Sequence, residues 1–302
     1  MLKVAAIHDL AGLGRTSLNV VIPIITALGI EVCPLPTAIL SSSTESCDDF
    51  YFFDLTESMH PILSRWKSMQ VEFDAVYSGF LGSPEQVDIV ADCAQSCLRQ
   101  GGLFIVDPVM GEDGGLEPTM GAEMVRRMGW LVSQASCITP NLTEAALLLN
   151  EPYPTEVIQD GIPEAMLKDW LEGLADLGPD LTVITSVPMP GDVIGGKVRK
   201  SVVGAFDKKA RRFWKASCDY IPANYPGTGD IFTSVLTGCL LRGDSLPEAI
   251  DRAVQFVALA IRATFGFAQP DKEGVRLERV LSTLRTGLGP LTYTLIGEDD
   301  KV

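Results

Sequence analysis

Short apolar runs rich in β-branched residues alternate with longer segments of helical period along most of the chain. Val4–Ile7 predicts a first strand, Thr16 to Leu28 a helix, and Glu31–Leu35 a second strand. Ala75–Tyr77, Leu103–Val106, Cys137–Ile138 and Leu181–Ile184 predict further strands, with helices over Pro84–Arg99 and Pro163–Leu177. Strands joined through helices become parallel neighbours, and their crossovers are right-handed. The pattern therefore predicts an α/β fold, a three-layer αβα sandwich with a central, mostly parallel sheet.

Positions 193–217 break the alternation. Val193-Ile194, Ser201–Phe206 and Arg211–Lys215 predict short antiparallel strands separated by Gly and Lys/Asp turns. Beyond them the chain is helical, with one apolar stripe at Ile231, Phe232, Val235, Leu236, Cys239 and Leu240. A second stripe runs through Ile250, Ala253, Val254, Val257, Ala258 and Ile261. The sequence contains no linker-like segment and no internal repeat, so a single domain over residues 1–302 is expected, with a small antiparallel segment around 193–217.

Open parallel sheets bind ligands beyond the carboxyl ends of their strands. Polar residues gather at the predicted ends: His8 and Asp9, Thr37, Ser78-Gly79, Asp107-Pro108, Thr139-Pro140-Asn141 and Thr185-Ser186. Each alone is explained by turn and cap chemistry; six together predict a shared cleft. The sharpest local feature is Pro226-Gly227-Thr228-Gly229-Asp230, which opens the first C-terminal helix. Its glycines leave room for a ligand at the backbone, and the helix start offers unpaired N–H groups to an anion. Asp230, in the first turn, is a candidate base; the same residue is also explained as a carboxylate favoured by the helix dipole.

Gly227-Thr228-Gly229-Asp230 before an apolar helix resembles the C-terminal signature of ribokinase-type kinases. Asp107-Pro108-Val109-Met110-Gly111, Ile138-Thr139-Pro140-Asn141-Leu142-Thr143-Glu144-Ala145 and Val183-Ile184-Thr185-Ser186 resemble stretches of the pyridoxal kinases within that superfamily. The matches keep the family's order over roughly residues 3 to 285. The resemblance implies a ribokinase-like kinase that phosphorylates the 5′-hydroxymethyl group of vitamin B6 vitamers from ATP. It implies Asp230 as base and Gly227, Thr228 and Gly229 as the cradle for the transferring phosphoryl. Glu144 would help hold Mg²⁺ through water, with Asp107 and Thr139 in the same metal and phosphate region. Asn141, Thr185, Ser186 and Asp107 would serve ATP, and K⁺ as a monovalent cation and a homodimer are compatible with the resemblance.

On the acceptor side, Pro36–Thr44 lines up with the stretch that contacts the pyridine ring, which nominates Thr37 and Ser41. Phe80 stands where these kinases usually carry a Tyr, keeping stacking without the hydroxyl. The chain departs from the best-known pyridoxal kinases in having Ser42-Ser43 for Asn-His and Ile7-His8-Asp9 where they have Ser-His. Asp9 is similar to an aspartate of hydroxymethylpyrimidine kinases, so that phosphotransferase of thiamine synthesis is an alternative. Gly111-Glu112-Asp113-Gly114 favours the B6 reading. A non-catalytic vitamer-binding protein on the same fold is a third reading. His8 reads either as a substrate contact or as a strand-end residue bonded to the backbone, and His60 as structural. The 193–217 strands read as a flap over ATP or as a solvated basic hairpin.

Charge and cysteine usage exclude other classes. A formal net charge of -15 repels nucleic acid and anionic lipid surfaces, so neither is expected as a partner. Polar residues arrive too early for a secretory signal, and the seven cysteines lack a CxxC pair, which together predict a reducing, cytoplasmic setting. Cys93 and Cys97 share a helical face and read as packing. Gly195-Gly196-Lys197 lacks the hydroxyl residue of a Walker loop, and Gly12-Leu13-Gly14 lacks the continuation of a dinucleotide fingerprint.

Overall fold

The computed structural model describes residues 1–44, 49–117, 120–194, 197–267, 271–286, 289 and 291–297. From the N-terminus, β1 (Lys3–Ala11) leads through α1 (Leu18–Ala27) to β2 (Glu31–Leu40) and β3 (Phe52–Asp54). Next come α2 (Thr56–Ser68), β4 (Phe73–Ser78), α3 (Pro84–Cys97) and β5 (Leu98–Val106). A small hairpin, β6 (Gly111–Glu112) and β7 (Gly115–Leu116), precedes α4 (Ala122–Val132), β8 (Cys137–Ile138) and α5 (Leu142–Leu149). α6 (Thr155–Ile158), α7 (Glu164–Asp176) and β9 (Leu181–Val187) follow. The short pair β10 (Val193–Ile194) and β11 (Lys197–Val198) then leads to β12 (Lys200–Asp207) and β13 (Arg212–Asp219). The chain finishes with α8 (Thr228–Leu241), α9 (Leu246–Thr264), α10 (Thr283–Thr286) and β14 (Thr294–Leu295).

The main sheet has ten strands in the order β14-β13-β12-β9-β8-β5-β4-β1-β2-β3. Its centre, from β9 to β2, is parallel throughout. Antiparallel strands flank it on both sides, β3 beyond β2 and β12 to β14 beyond β9. The antiparallel segment foreseen around 193–217 is thus a continuation of the main sheet, apart from the β10–β11 pair.

Alternate strand residues feed two cores. Ala5, Ile7 and Val76 pack with α2, α3, α4, α5 and α7, while Val4, Ala6, Ala75 and Tyr77 pack with α1, α8 and α9. This is the expected three-layer sandwich. The α8 stripe residues Ile231, Phe232, Val235, Leu236 and Cys239 are all buried, each apolar side chain contributing about 1.5–3 kcal/mol by leaving water. That burial fixes the height of the α8 N-terminus against the sheet. Cys93 and Cys97 are buried in the other core, as packing requires.

Several predicted strand ends fall short of the real ones, with β4 running on to Ser78 and β9 through Thr185 and Ser186 to Val187. β1 continues through His8 and Asp9 to Ala11, with its register to β2 shifting between His8 and Leu10. β2 likewise carries Thr37 inside the strand rather than after it. Polar side chains are tolerated there because the strand tips meet a buried polar site rather than solvent. Gly195 and Gly196 lie outside the described residues.

Candidate active site

β1 lies between β4 and β2, and the β1-to-β2 and β4-to-β5 crossovers run in opposite directions along the sheet, which opens a crevice at the carboxyl ends of β1 and β4. α8 begins over that crevice. Its N-cap, Gly227, has φ 79, and a Cβ there would come within 2.3 Å of the Arg15 carbonyl oxygen. Only glycine meets both demands. At Gly229 a Cβ would meet nothing within 4 Å.

Asp230 sits in the first turn of α8 with its side chain 15% exposed. Its Oδ2 accepts a hydrogen bond from the Ser17 backbone N–H at 2.8 Å, and its Oδ1 lies 3.9 Å from His8 Nδ1. His8 is fully buried beneath Gly79, whose missing side chain makes room for the ring, and stands edge-on to Tyr77 at 4.3 Å. Burial pushes its imidazole down to about 3, so the group behind Asp230 is neutral at physiological pH.

A cavity of about 170 Å³ opens in front of α8. Asp107, Thr139, Asn141, Glu144, Thr185 and Ser186 line it together with Gly227, Thr228, Gly229 and Asp230. Thr233, one turn into α8, donates to Asp107 Oδ2 at 3.3 Å and to Thr139 Oγ1 at 3.0 Å. Glu144 is buried in a capping box: Asn141 Oδ1 accepts from the Glu144 N–H at 3.0 Å, while Glu144 Oε2 accepts from the Asn141 N–H at 2.8 Å. Glu144 Oε1 accepts from the Met110 N–H at 3.1 Å. Burial, reinforced by the charge of neighbouring Asp107, holds the Glu144 carboxyl well above its usual range; burial likewise raises Asp107. Two buried carboxyls held high by burial form a place where a cation would be welcome.

Among the described residues, no Lys, Arg or His lines this cavity. Among the described residues, no cluster of three or more His, Cys, Asp or Glu forms a ready metal cage. The donor set suits a hard cation bound by one or two carboxylates and completed by phosphate oxygens and water, the habit of Mg²⁺.

A second cavity, about 100 Å³, shares Asp230, Gly227, Val109 and Glu117 with the first. Asp9, Ser17, Ser43 and Phe80 also line it. Burial raises the Asp9 carboxyl, which accepts a hydrogen bond from Ser17 Oγ. Thr37 is fully buried and acts one step back, donating from Oγ1 to the Phe80 carbonyl at 3.1 Å. Ser41 is exposed and its Oγ accepts from the Tyr51 N–H at 2.9 Å. The wall here is formed by its neighbours Ser43 and Thr44 instead.

A third, larger cavity of about 520 Å³ joins the first at Glu112, Ser186, Asn224 and Thr228. Its walls include Val187, Val198, Tyr220, Val257, Ala258 and Ile261. Val257 and Ile261 belong to the second apolar stripe yet are only partly buried, because they border this cavity while packing against the core. Another groove, about 740 Å³, lies between Glu164, Lys215 and Arg262 at the β12–β13 side and contains none of the strand-end polar residues.

Asp107, Thr139, Asn141, Glu144, Thr185, Ser186 and the 227–230 turn are therefore brought together; Asp9 and Phe80 stand on the other side of Asp230; His8 and Thr37 lie beneath the surface. Sequence reasoning missed Ser17, Glu117 and Thr233. Thr233 had a signal, three residues after Asp230 on the same helical face. Glu117 and Ser17 had none, since their positions depend on the β6–β7 hairpin and on loop geometry.

A family model described as phosphomethylpyrimidine kinase matches residues 22–273. A crystal structure of a putative phosphomethylpyrimidine kinase from Bacteroides thetaiotaomicron, in an orthorhombic form with pyridoxal, superposes with a TM-score of 0.90. It is 46% identical and the match covers 98% of this chain and 99% of that one. Pyridoxal kinase from Lactobacillus plantarum superposes with a TM-score of 0.83 at 28% identity, covering 95% and 97%. The pyridoxine/pyridoxal/pyridoxamine kinase of Bordetella avium is 29% identical over 280 residues, 87% of this chain and 86% of the relative.

Proposed function

The chain belongs to the phosphomethylpyrimidine kinase family of ribokinase-like proteins, and from that membership we propose that it transfers the γ-phosphoryl of ATP to the 5′-hydroxymethyl group of a vitamin B6 vitamer. The observation that carries the reading is the position of Asp230 in the wall common to two cavities. One is lined by carboxylates and helix amides, the other is capped by Phe80. A pyridine ring against Phe80 would present its hydroxymethyl group to the Asp230 carboxylate, with the terminal phosphoryl of ATP beyond it. The B6 vitamers are favoured over hydroxymethylpyrimidine because a relative 46% identical over nearly the whole chain was crystallised with pyridoxal.

In this reading Asp230 accepts the proton of the attacking hydroxyl, and the amides of Gly227, Thr228 and Gly229 receive the charge that develops on the phosphoryl oxygens. Asp107, Thr139 and, through water, Glu144 would hold Mg²⁺, which supplies neutralisation of the phosphate charge. Asn141, Thr185 and Ser186 border the phosphate path, and the 520 Å³ cavity offers apolar walls for the adenine ring. Val198 and Lys200 border that cavity, so the end of β11 and the start of β12 would lie beside the nucleotide in this reading. Positioning and charge stabilisation do most of the work in such transfers.

Steady-state kinetics of Asp230→Asn test the assignment. Loss of the base should lower kcat by roughly 10²–10⁴ with little change in KM. Turnover near the wild-type value would remove Asp230 from the reaction.

A further inference from the structure

Ser17 stands out on backbone geometry alone. It has φ 50 and ψ -131, a region natural to glycine and strained for a residue with a Cβ. Such conformations cost on the order of 1–3 kcal/mol and persist where the surroundings over-determine them. Here the surroundings are on both sides. Ser17 Oγ donates to Asp9 Oδ1 at 2.5 Å, and the Ser17 N–H donates to Asp230 Oδ2 at 2.8 Å. The preceding residues are tied to distant chain: the Arg15 N–H donates to the Glu273 carbonyl at 3.0 Å, and Arg15 Nε to Glu278 Oε1 at 3.0 Å. The Arg15 carbonyl in turn closes against Gly227 and Gly274.

These contacts have one geometric product. The positive φ turns the amide of residue 17 toward the carboxylate at the head of α8, and the hydroxyl on the same residue anchors that turn to β1. We propose that Ser17 is a positioning residue for phosphoryl transfer, whose strained backbone, latched to Asp9, holds the Asp230 carboxylate in the orientation from which it takes the acceptor proton. The inference rests on the kinase reading above and adds to it a group outside the signature motifs. It also gives Asp9 a role beyond the acceptor wall, as the anchor of the latch.

Two substitutions separate the backbone from the side chain. Ser17→Ala removes the latch and leaves a Cβ that disfavours positive φ, so the amide should turn away. Ser17→Gly removes the same hydroxyl, yet glycine adopts the required φ without strain. If the hydroxyl acted on its own, the two variants would be equally impaired. The proposal instead expects kcat to fall about 30-fold in Ser17→Ala and only about 3-fold in Ser17→Gly, with KM for ATP near wild type in both, as for loss of an orienting contact.

The acid limb of the kcat–pH profile should move to higher pH in Ser17→Ala, because a carboxylate that loses an N–H donor holds its proton more tightly. A ¹³C-carboxyl titration of Asp230 in the unliganded protein reads the same shift without turnover. It therefore decides the inference even if no vitamer is phosphorylated, an outcome that would count against the kinase reading alone. Equal impairment of the two variants, a greater loss in Ser17→Gly, or an Asp230 titration unchanged in Ser17→Ala would overturn the proposal.

Discussion

At the scale of single residues, the site is governed by what lies behind Asp230 as much as by what lies in front. His8 is sealed under Gly79 and kept neutral by its burial, 3.9 Å from the Asp230 carboxylate. That arrangement has a signature in stability. The unfolded chain binds a proton at His8 below about 6.5, while the folded chain does so only near 3. Between those values the unfolded state holds more protons, so this group makes folding stability rise with pH, by at most about 1.4 kcal/mol per pH unit. Urea unfolding of His8→Gln and wild type between pH 4 and 7 checks this, since glutamine has nothing to protonate. The wild type should lose stability relative to the variant as pH falls through that window; a constant difference would contradict a neutral buried His8. The sequence showed His8 and Asp230 as candidates but not their contact, because they come from opposite ends of the chain and meet only when α8 settles over β1.

At the scale of elements, helix N-termini carry most of the chemistry, and their sequence signals were uneven. The start of α8 was legible from Gly-Thr-Gly-Asp before an apolar stripe, and the parallel strands from their β-branched runs. α2 was not read at all, since Pro61 and a polar composition hide its period. α5 has eight residues, almost all apolar, and carries little amphipathic pattern; its start was visible only as the Asn141–Glu144 pair. That pair is a complete capping box, with both Glu144 oxygens accepting backbone N–H groups and facing the carboxyl of Asp107 across the cavity floor. The structural and cation-holding duties of Glu144 are separable. Glu144→Gln keeps one acceptor oxygen for the cap N–H of Asn141, loses the second at the Met110 N–H and removes the charge, so the Mg²⁺ concentration for half-maximal rate should rise about tenfold, as when an outer-shell metal partner is lost. Half-saturation at the wild-type Mg²⁺ concentration would confine Glu144 to capping.

At the scale of the whole molecule, a strongly acidic chain has built a cavity whose described lining residues include no Lys, Arg or His. With a formal net charge of -15, bulk attraction contributes nothing to nucleotide binding. Affinity must come from local devices: helix amides, a divalent cation and apolar walls. The sheet explains how they come together. Reversal of strand order at β1 opens the crevice, α8 closes it from one face, and the antiparallel extension through β12 and β13 brings Lys200, Cys218 and Asp219 to the border of the nucleotide cavity. Among the described residues no helix is long and apolar enough to cross a membrane. The global architecture was legible because strand and helix periods are local properties. The way three cavities share walls was not, because it depends on packing between residues more than two hundred positions apart.

The central claim is the reaction itself. Purified protein should be incubated with MgATP and, separately, pyridoxal, pyridoxine, pyridoxamine and hydroxymethylpyrimidine, with product followed by mass. The account predicts a phosphorylated B6 vitamer that disappears in Asp230→Asn. Phosphorylation of hydroxymethylpyrimidine alone, or of none of the four, would contradict it.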